Sequence, residues 1–245
     1  MRIAISGSAC QGKTTLIEDF IKQWPMYKRS NESYRKAIKE KNLKHSKECN
    51  KESQWTILNC ILDDLQQTTS SDNVIFDRCC LDNIVYSLWN NEKKNTDIDD
   101  EFIKKCIPLV QQSMHFIDII FFLPITKVAP VKIYEKEGRE TDPDYIKEID
   151  NIFKVISYGL NQTGKSPFFP DENRPPIIEI FGTPEQRIEM IKLYINPEGG
   201  IVDEGSVFSG ENLEEMEKLL GIQKEINLGE KEEQKFRNKI IRGIK

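Results

Sequence analysis

Gly7, Gly12, Lys13 and Thr14 stand in the pattern G-x-x-x-x-G-K-T. A loop of this kind wraps backbone N–H groups around a chain of phosphates, and the two glycines permit backbone angles and close approaches that side chains would block. Lys13 reaches the β and γ phosphates as a point charge, and the Thr14 hydroxyl holds Mg²⁺. The residues Gly7, Ser8, Ala9, Cys10, Gln11, Gly12, Lys13, Thr14 and Thr15 therefore form the expected nucleoside-triphosphate cradle. The helix expected after Lys13, over Thr14 to Trp24, adds its N-terminal dipole to the same anion. In the empty loop the lysine is expected to be exposed, so that removing it spares the fold.

Other residues with chemistry to offer follow at intervals. Asp77 and Arg78 come directly after the apolar stretch "NVIF"; an acid there can hold Mg²⁺ across from Thr14, and the arginine can reach a substrate or a phosphate. Asp82 and Tyr86 follow one helical turn apart and are expected to face the same cleft. Glu32 and Arg35, three apart in "SNESYRK", share a face if helical. A carboxylate opposite the phosphate loop can orient or deprotonate an attacking hydroxyl, and Glu32 is the leading candidate. Gly138-Arg139, preceded by Lys132 and Lys136, form a basic, glycine-hinged segment suited to a lid over transferring phosphates. Gly182-Thr183-Pro184 can let the backbone approach the nucleotide base, or be an ordinary strand-to-helix turn.

These residues need elements to hold them. "RIAIS" (Arg2 to Ser6), "MYKR" (Met26 to Arg29), "NVIFD" (Asn73 to Asp77), "FIDIIFFLP" (Phe116 to Pro124) and "PPIIEIFGT" read as strands. Helical spacing is clear at Leu16, Phe20 and Ile21, at Trp55, Leu58, Leu62 and Leu65, and at Tyr145, Ile149, Ile152, Phe153 and Ile156. Asp142 is a plausible N-cap for the last of these, with Pro143 in the first turn. Apolar strands alternating with helices imply an α/β fold, a five-stranded parallel sheet with helices on both faces. Ligands of such sheets bind at the carboxyl ends of the strands, where the residues above fall. Residues 1–196 are expected to form this domain, with a helical lid at about 128–158. Residues 197–245 make a charged extension that turns basic at Lys235, Arg237, Lys239, Arg242 and Lys245, expected to be a docked or partly mobile helix.

Composition sets bounds. A formal net charge of −5 over 245 residues argues against bulk nucleic-acid binding. No apolar run is long enough to span a membrane. The six cysteines lack regular spacing and lie in apolar segments, which suggests reduced thiols in a cytoplasm.

Taken together, the phosphate loop, the E-x-x-R after the second strand, D-R-x-x-x-D and the G-R lid resemble the P-loop nucleoside and nucleotide kinases. The likeness is greatest to the NadR-type nicotinamide riboside kinases, a family that includes phage-borne members, and it covers roughly Met1 to Asn196. It implies that Lys13 and Thr14 bind ATP-Mg, that Glu32 or Asp77 serves the acceptor hydroxyl, and that Arg78 and Arg139 contact phosphates. "DRCCLDNIVY" is also similar to the thymidylate kinase D-R-Y motif with Tyr86 in register, although Cys79 stands where an aromatic is expected and Asp82 where a serine is. The expectation is an ATP- and Mg²⁺-dependent kinase of a small nucleoside or nucleoside monophosphate, with Arg35, Arg78, Asp82 and Tyr86 on the acceptor side, acting in the cytoplasm (a host's, if viral). Lys28, Arg29 and Arg35 tilt the acceptor toward one that already carries a phosphate. A polynucleotide or DNA-base kinase and a non-kinase NTPase switch are the alternatives. A lid arginine that acts only as charge develops predicts that Arg139→Ala lowers kcat and kcat/KM for ATP by similar factors in steady-state assays.

Overall fold

The computed structural model describes residues 1–127, 130 and 140–202. The strands are β1 (Arg2–Ser6), β2 (Lys28–Arg29), β3 (Val74–Asp77), β4 (Ile119–Phe122) and β5 (Ile177–Glu179). The helices are α1 (Lys13–Gln23), α2 (Ser33–Glu40), α3 (Lys51–Gln66), α4 (Cys80–Lys93), α5 (Asp100–Met114), α6 (Pro143–Thr163) and α7 (Pro184–Ile191). The strands form one parallel sheet in the order β2-β3-β1-β4-β5. The α/β architecture expected from the sequence is thus present, with its five parallel strands and helices on both faces.

The three central strands, β1, β3 and β4, are buried along their whole length, which is why they read as apolar runs, whereas the edge strand β2 is exposed. Ile3 and Ile5 point toward α1 and α7, where they meet Leu16, Ile17, Phe20, Ile188 and Ile191. Ala4, Phe76, Ile120 and Phe122 point the other way, into a second core built with α3 to α6. Fully burying a side chain such as Phe20 or Leu58 stabilises the fold by about 1.5–3 kcal/mol. The expected face of α6 is in that second core: Tyr145, Ile149, Ile152, Phe153 and Ile156 are all buried. Its start is also as expected, with Asp142 as N-cap accepting from the Asp144 and Tyr145 amides and Pro143 in the first turn.

The differences are at the edges. "FIDIIFFLP" contributes only Ile119–Phe122 to the sheet, because the amides of Phe116 and Ile117 close turns on Ser113 and Met114. The edge strand β2 shrinks to Lys28–Arg29. Residues 197–202 fold back on the domain: the Trp24 indole N–H donates to the Asn196 carbonyl at 2.8 Å, and the Tyr27 hydroxyl to that of Gly199 at 2.6 Å. The basic part of the expected lid, including Lys132, Lys136, Gly138 and Arg139, lies outside the described residues, as does the extension from residue 203 onward.

Two registers position the site. Ile5 pairs with Asp77 on β3 and with Phe121 on β4, so the carboxyl ends of the three central strands lie level. The chain leaves β1 at Gly7 with φ +142°, where a Cβ would stand 2.8 Å from the Leu123 carbonyl oxygen. Only glycine fits between that backbone and the loop. Gly7→Ala is therefore expected to cost at least about 1–3 kcal/mol from backbone strain alone, read as a lower midpoint in urea unfolding monitored by circular dichroism.

Candidate active site

The loop from Gly7 to Thr14 curls over the ends of β1 and β3. Cys10 and Gly12 hold positive φ values of 62° and 79°, which bend the chain into a ring before α1 begins. Lys13 does not stand free, contrary to the expectation above. It is 7% exposed, and its Nζ donates to the carbonyls of Gly7 at 2.7 Å and Ser8 at 2.6 Å. The carbonyls of its own loop satisfy the ammonium, because a buried cation needs acceptors. Burial, with the Arg78 charge beside it, pushes the Lys13 pKa down to about 7 against the pull of Asp77 and Asp82.

Asp82 secures the loop from below. It is 1% exposed and accepts from the Ser6 hydroxyl at 2.7 Å, the Cys79 amide at 3.1 Å and the Gly7 amide at 3.3 Å. The Cys79 contact belongs to the capping box that starts α4. Expected on the acceptor side, Asp82 does line the cavity described below, but its oxygens are committed to the scaffold.

Asp77 closes the other side of the loop. Its Oδ2 accepts from Arg35 at 2.9 Å, from Thr14 Oγ1 at 3.4 Å and from Arg29 at 3.5 Å. Its Oδ1 is buried with no partner. Burial alone would raise its pKa, but Lys13, Arg78, Arg35 and Arg29 hold it below the usual carboxylate range. An ionised carboxylate with one unsatisfied oxygen, next to a threonine hydroxyl, is a hard-oxygen donor set that fits Mg²⁺. The Ser8 hydroxyl is likewise buried without a partner in the loop.

Glu32 precedes α2 in a left-handed conformation (φ 50°, ψ 46°). Its carboxylate binds Arg29 Nε at 2.5 Å and Arg35 Nε. It does not line the cavity, whereas Arg35 does. Arg78, also at positive φ (83°), lays its guanidinium 5.2 Å from the centre of the Tyr86 ring. Such backbone angles cost roughly 1–3 kcal/mol each and persist where the surroundings enforce them.

From the phosphate loop a cavity of about 400 Å³ runs inward between α2, α3 and α4. Its far end is apolar and amide-lined, with Tyr34, Ile38, Ile57, Ile61, Gln54 and Asn83 on the wall. Gln54 and Asn83 hydrogen-bond to each other at 2.5 Å, and the Asn83 side-chain oxygen remains without a partner. Glu140, within the expected lid, closes the near side: its carbonyl accepts from Cys10 Sγ at 3.6 Å. Lys47 binds Asp142 Oδ2 at 2.5 Å and stands over the Tyr145 ring.

Lys13, Thr14, Asp77, Arg35, Arg78, Asp82 and Tyr86 are therefore brought to one cleft, Glu32 to its edge, and Arg139 lies outside the described residues. Sequence reasoning missed Gln54, Asn83, Lys47 and Arg187. Gln54 and Asn83 sit on inward faces of helices otherwise read as apolar, and that mismatch was the one available signal.

Phosphates replacing the loop carbonyls around Lys13 should restore its charge. MgATP binding at pH 8, where the free lysine is mostly neutral, is expected to take up close to one proton. At pH 6 the lysine is already charged and uptake should vanish. Calorimetry in buffers of different ionisation enthalpy measures this, and Lys13→Met should remove the difference.

The chain was compared with known proteins. The model of the AAA domain family matches residues 2–162. No curated protein matches the chain. Among solved structures, NadR in complex with NAD and AMP-PNP superposes with a TM-score of 0.54 at 14% identity, over 83% of this chain and 51% of that one. Deoxyadenosine kinase from M. mycoides with dCMP and dCDP bound superposes with a TM-score of 0.51 at 18% identity, over 78% of this chain and 96% of that one. The chain thus spans about half the length of NadR, and at these identities the likeness is one of fold. With the P-loop motif in place and the family model covering 2–162, the chain belongs to the AAA domain family of P-loop proteins, in a fold shared with nucleoside kinases.

Proposed function

We propose that this protein transfers the γ-phosphoryl group of ATP to a hydroxyl of a small nucleoside. The observation that carries the reading is the cavity of about 400 Å³ that joins the phosphate loop to an apolar, amide-lined chamber. A nucleotide-hydrolysing switch has no use for such a chamber; a phosphotransferase needs it to hold the acceptor in line with the γ phosphate. In this reading the loop amides and Lys13 hold the β and γ phosphates. Thr14 and Asp77 would hold Mg²⁺, which bridges phosphoryl oxygens and neutralises their charge. Arg78 stacks on Tyr86 and orients the acceptor or a phosphate. Arg139 neutralises charge from the lid.

The acceptor's charge follows from how the arginines are used. Arg29 and Arg35 are the basic residues that the sequence offers to an acceptor phosphate. Both are already paired with Glu32 and Asp77, two cations against two carboxylates. An anionic acceptor would have to break those pairs, so a neutral nucleoside is favoured over a nucleoside monophosphate. Glu32, held by Arg29 and Arg35 at the edge of the cavity, is the candidate to orient the acceptor hydroxyl. All six cysteines are free thiols, which supports action in a reducing cytoplasm. Among the described residues no helix is long and apolar enough to cross a membrane.

The match to the AAA domain family supports a second reading, an NTPase switch with no small acceptor. An ATP-consumption assay over nucleosides, nucleotides, nicotinamide riboside and short DNA separates the two. Turnover stimulated by one nucleoside and abolished in Lys13→Met supports the kinase; slow hydrolysis indifferent to every acceptor supports the switch. With an acceptor in hand, Glu32→Gln is expected to lower kcat on the order of 10²–10⁴-fold with ATP affinity little changed. An unchanged kcat moves the role to Asp77 or to plain orientation.

A further inference from the structure

Arg187 is a buried cation with no counter-ion among the described residues. It lies on α7 and is 6% exposed. Burial alone lowers its basicity, and among the described residues no carboxylate is paired with it. A charge kept in such a place is costly unless its donors are used. They are used on two backbone carbonyls: Nε donates to Gly182 at 3.0 Å, and one terminal nitrogen to Gln11 at 2.7 Å.

The second of these contacts bears on the phosphate loop. The carbonyl of a trans peptide and the N–H of the next residue point in opposite directions. Holding the Gln11 carbonyl toward α7 turns the Gly12 N–H away from α7, to the opposite side of the loop. Gly12 has φ 79° and precedes α1, and a Cβ there would stand 3.1 Å from the Arg187 terminal nitrogen. The guanidinium thus occupies the room that this glycine leaves. Its other contact is with Gly182, at φ +93° in the turn between β5 and α7.

We infer that Arg187 is a positioning residue for the phosphate cradle: it fixes the Gln11–Gly12 peptide so that the Gly12 amide faces a bound polyphosphate, and adds its own charge from behind the loop. The inference rests on the reading that this loop binds ATP.

The test is calorimetric binding of MgATP and of magnesium tripolyphosphate, which lacks the nucleoside, to the wild type, Arg187→Gln and Arg187→Lys, with melting curves alongside. The glutamine variant is expected to lose affinity for both probes by the same factor, on the order of ten- to a hundredfold, the scale of a slightly misplaced binding group. Lysine keeps the charge but has one nitrogen for two carbonyls, so its loss should be intermediate and again equal for both probes. If ATP weakens while tripolyphosphate does not, Arg187 serves the β5–α7 turn and the proposal is overturned. Unchanged binding of both probes overturns it as well. Should the glutamine variant fail to fold, the lysine variant decides by the same comparison. A wild type that binds neither probe rejects the phosphate site itself and this proposal with it.

Discussion

The carboxylate of Asp82 is the pin on which the cleft depends. It gathers the Ser6 hydroxyl, the Gly7 amide and the Cys79 amide around one buried charge, and so locks the end of β1 to the start of α4. Every other feature of the site is referred to that point. The phosphate loop leaves from Gly7, Asp77 lies beside Ile5 through the sheet register, and Arg78 is the residue between β3 and the capping residue of α4.

Around this pin the cleft holds its charges in balance. Lys13, Arg29, Arg35 and Arg78 surround Asp77, and Glu32 draws two of those arginines aside. The arrangement keeps Asp77 ionised in a nearly dry setting. It also stores strain: Glu32 and Arg78, the residues flanking this network, both adopt backbone angles that L residues rarely hold. These angles aim side chains that a regular strand or helix would have pointed elsewhere.

The centre of the sheet was legible because its strands are buried on both faces, which leaves continuous apolar runs such as "RIAIS" and "IIFF" with no alternation to misread. The phosphate loop was legible because its function needs particular residues at fixed local spacing. Asp142 and Pro143 announced the start of α6 for the same local reason. What stayed hidden was long-range. Arg187 meets the loop 176 residues away, and nothing near it in the chain marks that contact. Asp82 was read as facing the cleft, and its service to Ser6 and Gly7 depends on a β1–β3 pairing that the local sequence does not show. The burial of Lys13 in the empty loop has no local signal either, since it reflects the carbonyls that the folded loop presents.

One contact joins regions that separate ligands would occupy. Glu140, within the expected lid, lines the cavity and touches the phosphate loop through Cys10, and Asp142 two residues on is tied to Lys47, next to the cavity-lining Ser46. Whatever rearranges that short segment is felt at both ends of the cavity. A molecule entering the chamber and one entering the loop therefore bias the same few atoms, and by linkage each must change the other's affinity by the same factor. The segment would make two ligands bound there answerable to each other.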